Sequence, residues 1–306
     1  MNNLDLKVDL NGLILDNPVT VASGTFGFGR EFEPYLDLNE IGAISVKGLT
    51  LEPRQGNEGV RIVETPMGMI NSVGLQNPGV HHFIEHEIPY LRQFNTKIIA
   101  NINGNTTQEY VRMAEILNSE DVDSIELNIS CPNVKNGGLA FGTNPKVVEE
   151  VVKAVRNATD KHLIVKLTPN VTDIKEIAKI VEANGANCIS LINTVTGMAI
   201  DIYQRKPILK RKSGGLSGPA VKPIAIKLVH DVYQAVSIPI LGMGGIMTGE
   251  DAVEFMLAGA DAIAIGTGNF VNPTAVIDVK KGIEKYLEYM EIKSVSKLKG
   301  YLNTVE

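Results

Sequence analysis

The chain has 306 residues, 44% hydrophobic and 21% charged, with a net charge of −6. This is a globular composition with enough apolar side chains for a sizeable core, and the length admits one large domain or two ordinary ones. No Lys/Arg-rich run dominates, and no apolar stretch reaches the roughly 18 residues of a membrane span, so neither a nucleic-acid binder nor an integral membrane protein is expected.

The opening residues, MNNLDLKVDLNG, lack the charged start and apolar core of a signal peptide. With two cysteines in the whole chain, the expected setting is the reducing cytoplasm. The stretch LKVDLNGLILDNP (6–18) reads as an N-terminal β-hairpin that plugs the bottom of a barrel. Eight short runs rich in Val, Ile and Ala then read as strands. They are VTVASG (19–24), AISVKG (43–48), KIIANING (97–104), SIELNIS (124–130), HLIVKLTPN (162–170), CISLINT (188–194), IPILGMGG (238–245) and AIAIGTG (262–268).

Stretches of helical period lie between them. TQEYVRMAEILNS (107–119) puts Tyr110, Met113, Ala114 and Leu117 on one face. NPKVVEEVVKAVRNA (144–158) opens on an Asn cap with Pro at the first helical position. TDIKEIAKIVEANG (172–185) has Thr172 as its expected cap and Gly185 as its stop. GPAVKPIAIKLVHDVYQAV (218–236) and TGEDAVEFMLAGA (248–260) share the same plan.

Eight continuous apolar strands, each followed by a crossover, predict an α/β fold with a parallel sheet covered by helices. Eight repeats in about 250 residues fit a closed (β/α)8 TIM barrel, here as a single domain over residues 1–306. The connections from Thr50 to about Pro78 and from Val195 to Gly218 are long. Both leave C-terminal strand ends, where such barrels carry their active sites, so they are expected to be lids or subsite walls.

Polar residues recur at those same ends: Ser23, Lys47, Asn101, Asn103, Asn128, Lys166, Asn193 and Thr194. In a closed barrel they converge, and buried polar groups without partners are costly. The segment NISCPNVKNGG (128–138) places Cys131 just beyond the fourth strand among Asn128, Asn133 and Asn136. Its bland reading is an inert thiol in an Asn/Gly turn; its position at the mouth argues for chemistry. GMGGI (242–246) and GTG (266–268) close strands 7 and 8, where glycine lets backbone N–H groups approach a phosphate.

Lys47 and Lys166 have three readings: satisfied charges, a Schiff-base nucleophile, or cations beside an electron-rich cofactor. Cys188 opens strand 6 at the opposite end of the barrel and reads as a small core residue. His81, His82 and His86 read first as a solvated helix face and second, since His82 and His86 are four apart, as a zinc site; Lys206, Lys210, Arg211 and Lys212 read first as a solvated loop and second as a phosphate or partner contact. No other cluster has metal-ligand spacing.

Taken together, NPVTVASGTFGFG (17–29), SVKGLT (45–50), NSVGLQNPG (71–79), NISCPNVKNGG, IVKLTPN (164–170), INTVTGM (192–198), GGLSGPA (214–220), GMGGI and GTG resemble class 1 dihydroorotate dehydrogenase, most closely the class 1B catalytic subunit, over nearly the whole chain. The resemblance implies an FMN enzyme of pyrimidine (UMP) biosynthesis that oxidises (S)-dihydroorotate to orotate. It implies Cys131 as the catalytic base and Lys47 in contact with both flavin and substrate. Asn71, Gly74, Leu75, Asn128, Asn133, Asn193 and Thr194 would hold the substrate. Ala22, Ser23, Lys47, Asn101, Asn128, Lys166, Ile192, Gly218, Gly244, Gly245, Gly266 and Thr267 would hold FMN.

No metal site is implied. Class 1B relatives pair with a subunit carrying FAD and a [2Fe–2S] cluster that passes electrons to NAD, so a homodimer core within a heterotetramer is the implied assembly. The alternatives are a fumarate-linked class 1A homodimer and a Schiff-base lyase on a phosphate-binding barrel.

Overall fold

The structure, a computed structural model, describes residues 4–130 and 141–302. Eight parallel strands close into a barrel in chain order: β1 (Val19–Val21), β2 (Ala43–Ser45), β3 (Lys97–Ile102), β4 (Ser124–Asn128), β5 (His162–Lys166), β6 (Cys188–Leu191), β7 (Ile240–Met243) and β8 (Ala262–Ile265). Each is drawn from an expected run, and the pairing carries past the apolar residues to take in Asn101, Asn128 and Lys166. Closure joins β8 to β1, with Ile263 opposite Val19 and Ile265 opposite Val21. The strands are buried on both faces because the barrel interior takes one and the helices the other, which is why they read as unbroken hydrophobic runs.

The helices Thr107–Asn118, Pro145–Ala158, Ile174–Ala183, Lys222–Tyr233 and Gly249–Ala258 fall in the expected stretches, and Tyr110, Met113, Ala114 and Leu117 are buried. One cap differs. Asp173, not Thr172, caps Ile174–Ala183: its backbone is extended and its carboxylate accepts from the Lys175 amide at 2.9 Å. A carboxylate one residue closer to the first turn both fills the amide and favours the positive helix end.

A further helix, Ala275–Tyr289, was not anticipated; it buries Val276, Val279, Ile283 and Leu287. It crosses Gly249–Ala258 where two glycines meet, and a Cβ built on Gly249 would lie 2.4 Å from Gly282 Cα.

At the N-terminal end of the barrel, Val8–Asp9 pairs with Ile14–Leu15 as an antiparallel hairpin, burying Leu10, Leu13 and Leu15. The Leu10 carbonyl lies 2.6 Å from His162 Nε2, at the first residue of β5, and His162 Nδ1 lies 2.8 Å from Ser124 Oγ, at the first residue of β4. A carbonyl only accepts, so Nε2 carries the proton and Nδ1 accepts from the serine.

At the other end, the two long connections are joined to each other. Val195–Gly197, Gly214–Ser217, Gly68–Asn71 and Ile62–Thr65 form one four-stranded antiparallel sheet, in that order. The 50–79 connection is fastened by Asn77, which is buried. Its Oδ1 accepts from Thr50 N and Gly79 N, and its Nδ2 donates to the Leu75 carbonyl.

Gly282→Ala overpacks the helix crossing and should lower stability by about 1–3 kcal/mol, read as a lower thermal unfolding midpoint. The plug carries a pH dependence as well, because burial lowers the pKa of His162. The unfolded chain then binds the proton first as pH falls below about 6.5, so this contribution is present above that pH and lost below it. His162→Gln should flatten the decline in stability between pH 7 and about pH 5; an unchanged slope would show that the plug does not carry it.

Candidate active site

The C-terminal strand ends and the four-stranded sheet enclose a cleft of about 590 Å³. Every predicted site residue within the described part of the chain lines it. Ala22 and Ser23 come directly after β1, Lys47 lies just beyond β2, and Asn101, Asn128 and Lys166 lie in β3, β4 and β5. Ile192, Asn193 and Thr194 extend from β6, Gly244 and Gly245 from β7, and Gly266 and Thr267 from β8. Asn71, Gly74, Leu75 and Gly218 come from the sheet and its flanks. Cys131 and Asn133 lie outside the described residues.

The electrostatics are one-sided. Lys47, Lys166 and Arg211 line the cleft, and no Asp, Glu or His does among the described residues. Lys166 is only 4% exposed, and its Nζ lies 3.4 Å from Ser23 Oγ. Lys47 is half-buried; burial first, and then the Arg61 charge, lower its pKa. Two desolvated amines with hydroxyl and amide neighbours suit a ligand that brings negative charge.

One wall is a relay of short side chains. Asn193 Nδ2 donates to Ser130 Oγ, Ser130 Oγ donates to Asn128 Oδ1, and Asn193 Oδ1 accepts from Thr194 N at 2.7 Å. Opposite, Asn71 Nδ2 donates to the Gly215 carbonyl at 3.3 Å. Carboxamides offer both a donor and an acceptor, which fits a ring of alternating C=O and N–H groups.

The glycine sector behaves as a cradle. A Cβ on Gly266 would meet nothing nearer than Ala22 Cβ at 3.7 Å, so its absence leaves open space. At Gly218, φ is +96° and a Cβ would strike Gly68 Cα at 2.6 Å, so only glycine carries the chain past this point. Thr267 Oγ1 donates to Ser217 Oγ at 2.8 Å beside it. These are the features a phosphorylated, electron-rich ring cofactor requires: room for backbone approach at one end, and cations and amides at the other.

Several cleft residues had no role in the sequence reading. Ser130 precedes Cys131 and holds two asparagines, Ser217 backs Thr267, and Asn57 donates to the Ser72 carbonyl at 2.9 Å. Beneath the cleft, Glu126 is fully buried. A carboxylate inside the apolar run SIELN was the available signal.

The remaining candidates sit elsewhere. Cys188 is buried at the start of β6, where burial pushes its thiol pKa up. Lys210 pairs with Glu58 at 2.6 Å, whereas Arg211 reaches the cleft rim. His82 meets His86 edge to face and its Nε2 lies 3.4 Å from Glu87; among the described residues no group of three His, Cys, Asp or Glu is placed to hold a metal.

Comparison with known proteins agrees over the full length. The family model for dihydroorotate dehydrogenase matches residues 5–287. The dihydroorotate dehydrogenase B (NAD(+)) catalytic subunit of Alkaliphilus metalliredigens is 59% identical over 302 residues, 99% of this chain and 100% of the relative. The subunit of the same name from Alkaliphilus oremlandii is 57% identical over 302 residues, 99% and 100% of the two chains. That from Thermoanaerobacter pseudethanolicus is 54% identical over 299 residues, 98% and 99%. A barrel whose strand ends carry this set of amides, amines and glycines, matched along almost all of its length, belongs to the dihydroorotate dehydrogenase family.

Proposed function

We propose that this chain is a class 1B catalytic subunit that oxidises (S)-dihydroorotate to orotate in pyrimidine biosynthesis. It would hold FMN and pass electrons to NAD through a partner subunit carrying FAD and [2Fe–2S]. The assembly is a homodimer core within a heterotetramer, in the cytoplasm. No helix of the described residues is long and apolar enough to cross a membrane. The observation that carries the reading is the cleft itself, rich in amides and lined by two desolvated amines without a carboxylate among the described residues. The relatives' names supply the substrate and the acceptor.

Bound FMN supplies a two-electron acceptor for the hydride that leaves substrate C6. Lys166, with Ala22, Ser23, Asn101 and Ile192, lines the ring end of that site; Gly218, Gly244, Gly245, Gly266 and Thr267 line the phosphate end. Lys47 attracts the substrate carboxylate. Asn71, Asn128, Asn133, Asn193 and Thr194, with backbone at Gly74 and Leu75, match the donors and acceptors of the pyrimidine ring. Cys131 takes the C5 proton. The titratable side chains of the described lining are Lys47, Lys166 and Arg211; the role of Cys131 rests on the resemblance of NISCPNVKNGG to the family.

The test is anaerobic addition of dihydroorotate to the purified chain. Bleaching of the flavin absorption band supports the reading, and a flavin that stays oxidised removes dihydroorotate as substrate. The reaction should also depend on pH. A free thiol titrates near pH 8.5, so flavin reduction should accelerate from about pH 6 to about pH 9. Cys131→Ser should lose this profile, and a flat profile in the unaltered chain would exclude the thiol base. Because the pKa of Lys47 is lowered, its charge is present at low pH and lost as pH rises through that lowered value. Orotate affinity should therefore fall toward alkaline pH, and Lys47→Ala should weaken orotate about 10- to 100-fold, the range for a charge-assisted contact. A variant that binds orotate as tightly as the parent would free Lys47 from this role.

A further inference from the structure

Under the cleft floor lies a polar layer that the proposed function leaves unused. Glu126 in β4 is fully buried, and Ser190 Oγ in β6 donates to its Oε1 at 2.7 Å. Asn101 Nδ2 donates to its Oε2 at 2.5 Å, and Ser45 Oγ in β2 lies 3.5 Å from the same oxygen. The three residues of β2, β4 and β6 form one interior layer of alternate strands. Asn101 and Glu126 are direct neighbours across β3 and β4.

The next bond runs upward: Asn103 Nδ2 donates to Asn101 Oδ1 at 2.7 Å. There the chain of bonds ends. Asn103 is 1% exposed and lines the cleft, and its buried Oδ1 has no hydrogen-bond partner among the described residues. Of the three such side-chain atoms among the described residues, the others, on Thr96 and Asn269, lie away from the cleft lining.

The direction of the bonds is forced from below. The Glu126 oxygen accepts, so the Asn101 amide must point its nitrogen down and its oxygen toward Asn103. Asn103 must answer with its nitrogen, which leaves its oxygen without a donor. Gly48 makes room for the pair: a Cβ there would lie 2.5 Å from Asn103 Nδ2 and 3.0 Å from Asn101 Oδ1.

We propose that Glu126, Asn101 and Asn103 form a directional relay that presents Asn103 Oδ1 as the acceptor for the ring N–H of the bound isoalloxazine. Glu126 is then a positioning residue acting through Asn101, and Asn103 is a cofactor-binding residue. The inference rests on the flavin reading of the proposed function. It assigns the flavin, not the pyrimidine, because Asn101 and Asn103 are the floor of the cleft, whereas Asn71, Gly74 and Leu75 come from the sheet and its flank above.

The test measures FMN dissociation, the visible spectrum of bound flavin and orotate affinity in the full chain and in Asn103→Ala, Glu126→Gln, the double variant and Gly48→Ala. In E126Q an amide nitrogen donates where an oxygen accepted, so Asn101 is free to turn over and Asn103 to present the wrong atom. A lost bond to a buried acceptor predicts about tenfold weaker FMN binding in N103A and in E126Q, with a shifted flavin band. The double variant should bind no more weakly than N103A alone, because both changes break one relay. Parental FMN affinity and spectrum in N103A overturn the proposal, as do additive losses in the double variant or a loss confined to orotate. Should E126Q fail to fold, N103A and G48A decide by the same readouts. If the unaltered chain binds no FMN the flavin reading itself fails, whereas unaltered binding across the variants removes only the relay.

Discussion

Closure of the barrel between β8 and β1 is the constraint on which the site depends. The Ala22 amide donates to the Ile265 carbonyl at 2.9 Å, so the first strand end lies beside the last although more than two hundred residues separate them. In an open sheet Ser23 and Thr267 would stand at opposite edges. Closed, the strand ends form a ring, and side chains from all eight strands face one volume. Closure also leaves no free strand edge at the floor, so the peptide groups there are satisfied laterally and side chains alone supply free donors and acceptors.

The second requirement is a roof, and here the backbone carries unusual conformations. Gly74 has φ +80° and Leu75 φ +55°, two consecutive left-handed residues beside the cleft. A Cβ on Gly74 would sit 2.6 Å from Asn57 Cγ. Left-handed leucine is disfavoured, and such conformations persist where the surroundings over-determine them. Asn77 provides that restraint from below and Asn57 from the side. The four-stranded sheet provides it from above, by tying the two long connections to each other.

Much of this was legible in the sequence, and the failures share a cause. Apolar runs located all eight strands, because a strand buried on both faces has to be apolar throughout. Asn144 before Pro145 marked its helix start for a local reason, whereas Thr172 was displaced by Asp173 because two adjacent cap-capable residues differ only in three-dimensional reach. The four-stranded sheet was invisible since its partners are far apart in sequence: Gly215 opposes Asn71. Ile62–Thr65 has no apolar alternation that survives burial on one side only. The helix Ala275–Tyr289 had the period of a helix but no preceding apolar signal beyond the glycine turn. For the site, strand-end position placed the amides and amines together. It was silent on Ser130 and Glu126, whose importance comes from what they touch.

The floor and the walls answer different physical problems. At the walls, amines are held away from water with hydroxyls and amides for company, an arrangement that opposes stability until a negatively charged ligand arrives. At the floor, a carboxylate is buried with hydrogen-bond donors, and among the described residues no cation lies within ion-pair distance of it. Placing the acid one layer beneath the amines keeps it from neutralising them by direct contact, so their charge stays available to the ligand. The same carboxylate, by only accepting, orders the asparagines above it. A Lys–Glu pair at the cleft surface would hold the two charges in direct contact. It would also have occupied the very groups that the ligand has to meet, and separating the two charges by a layer of asparagine avoids this.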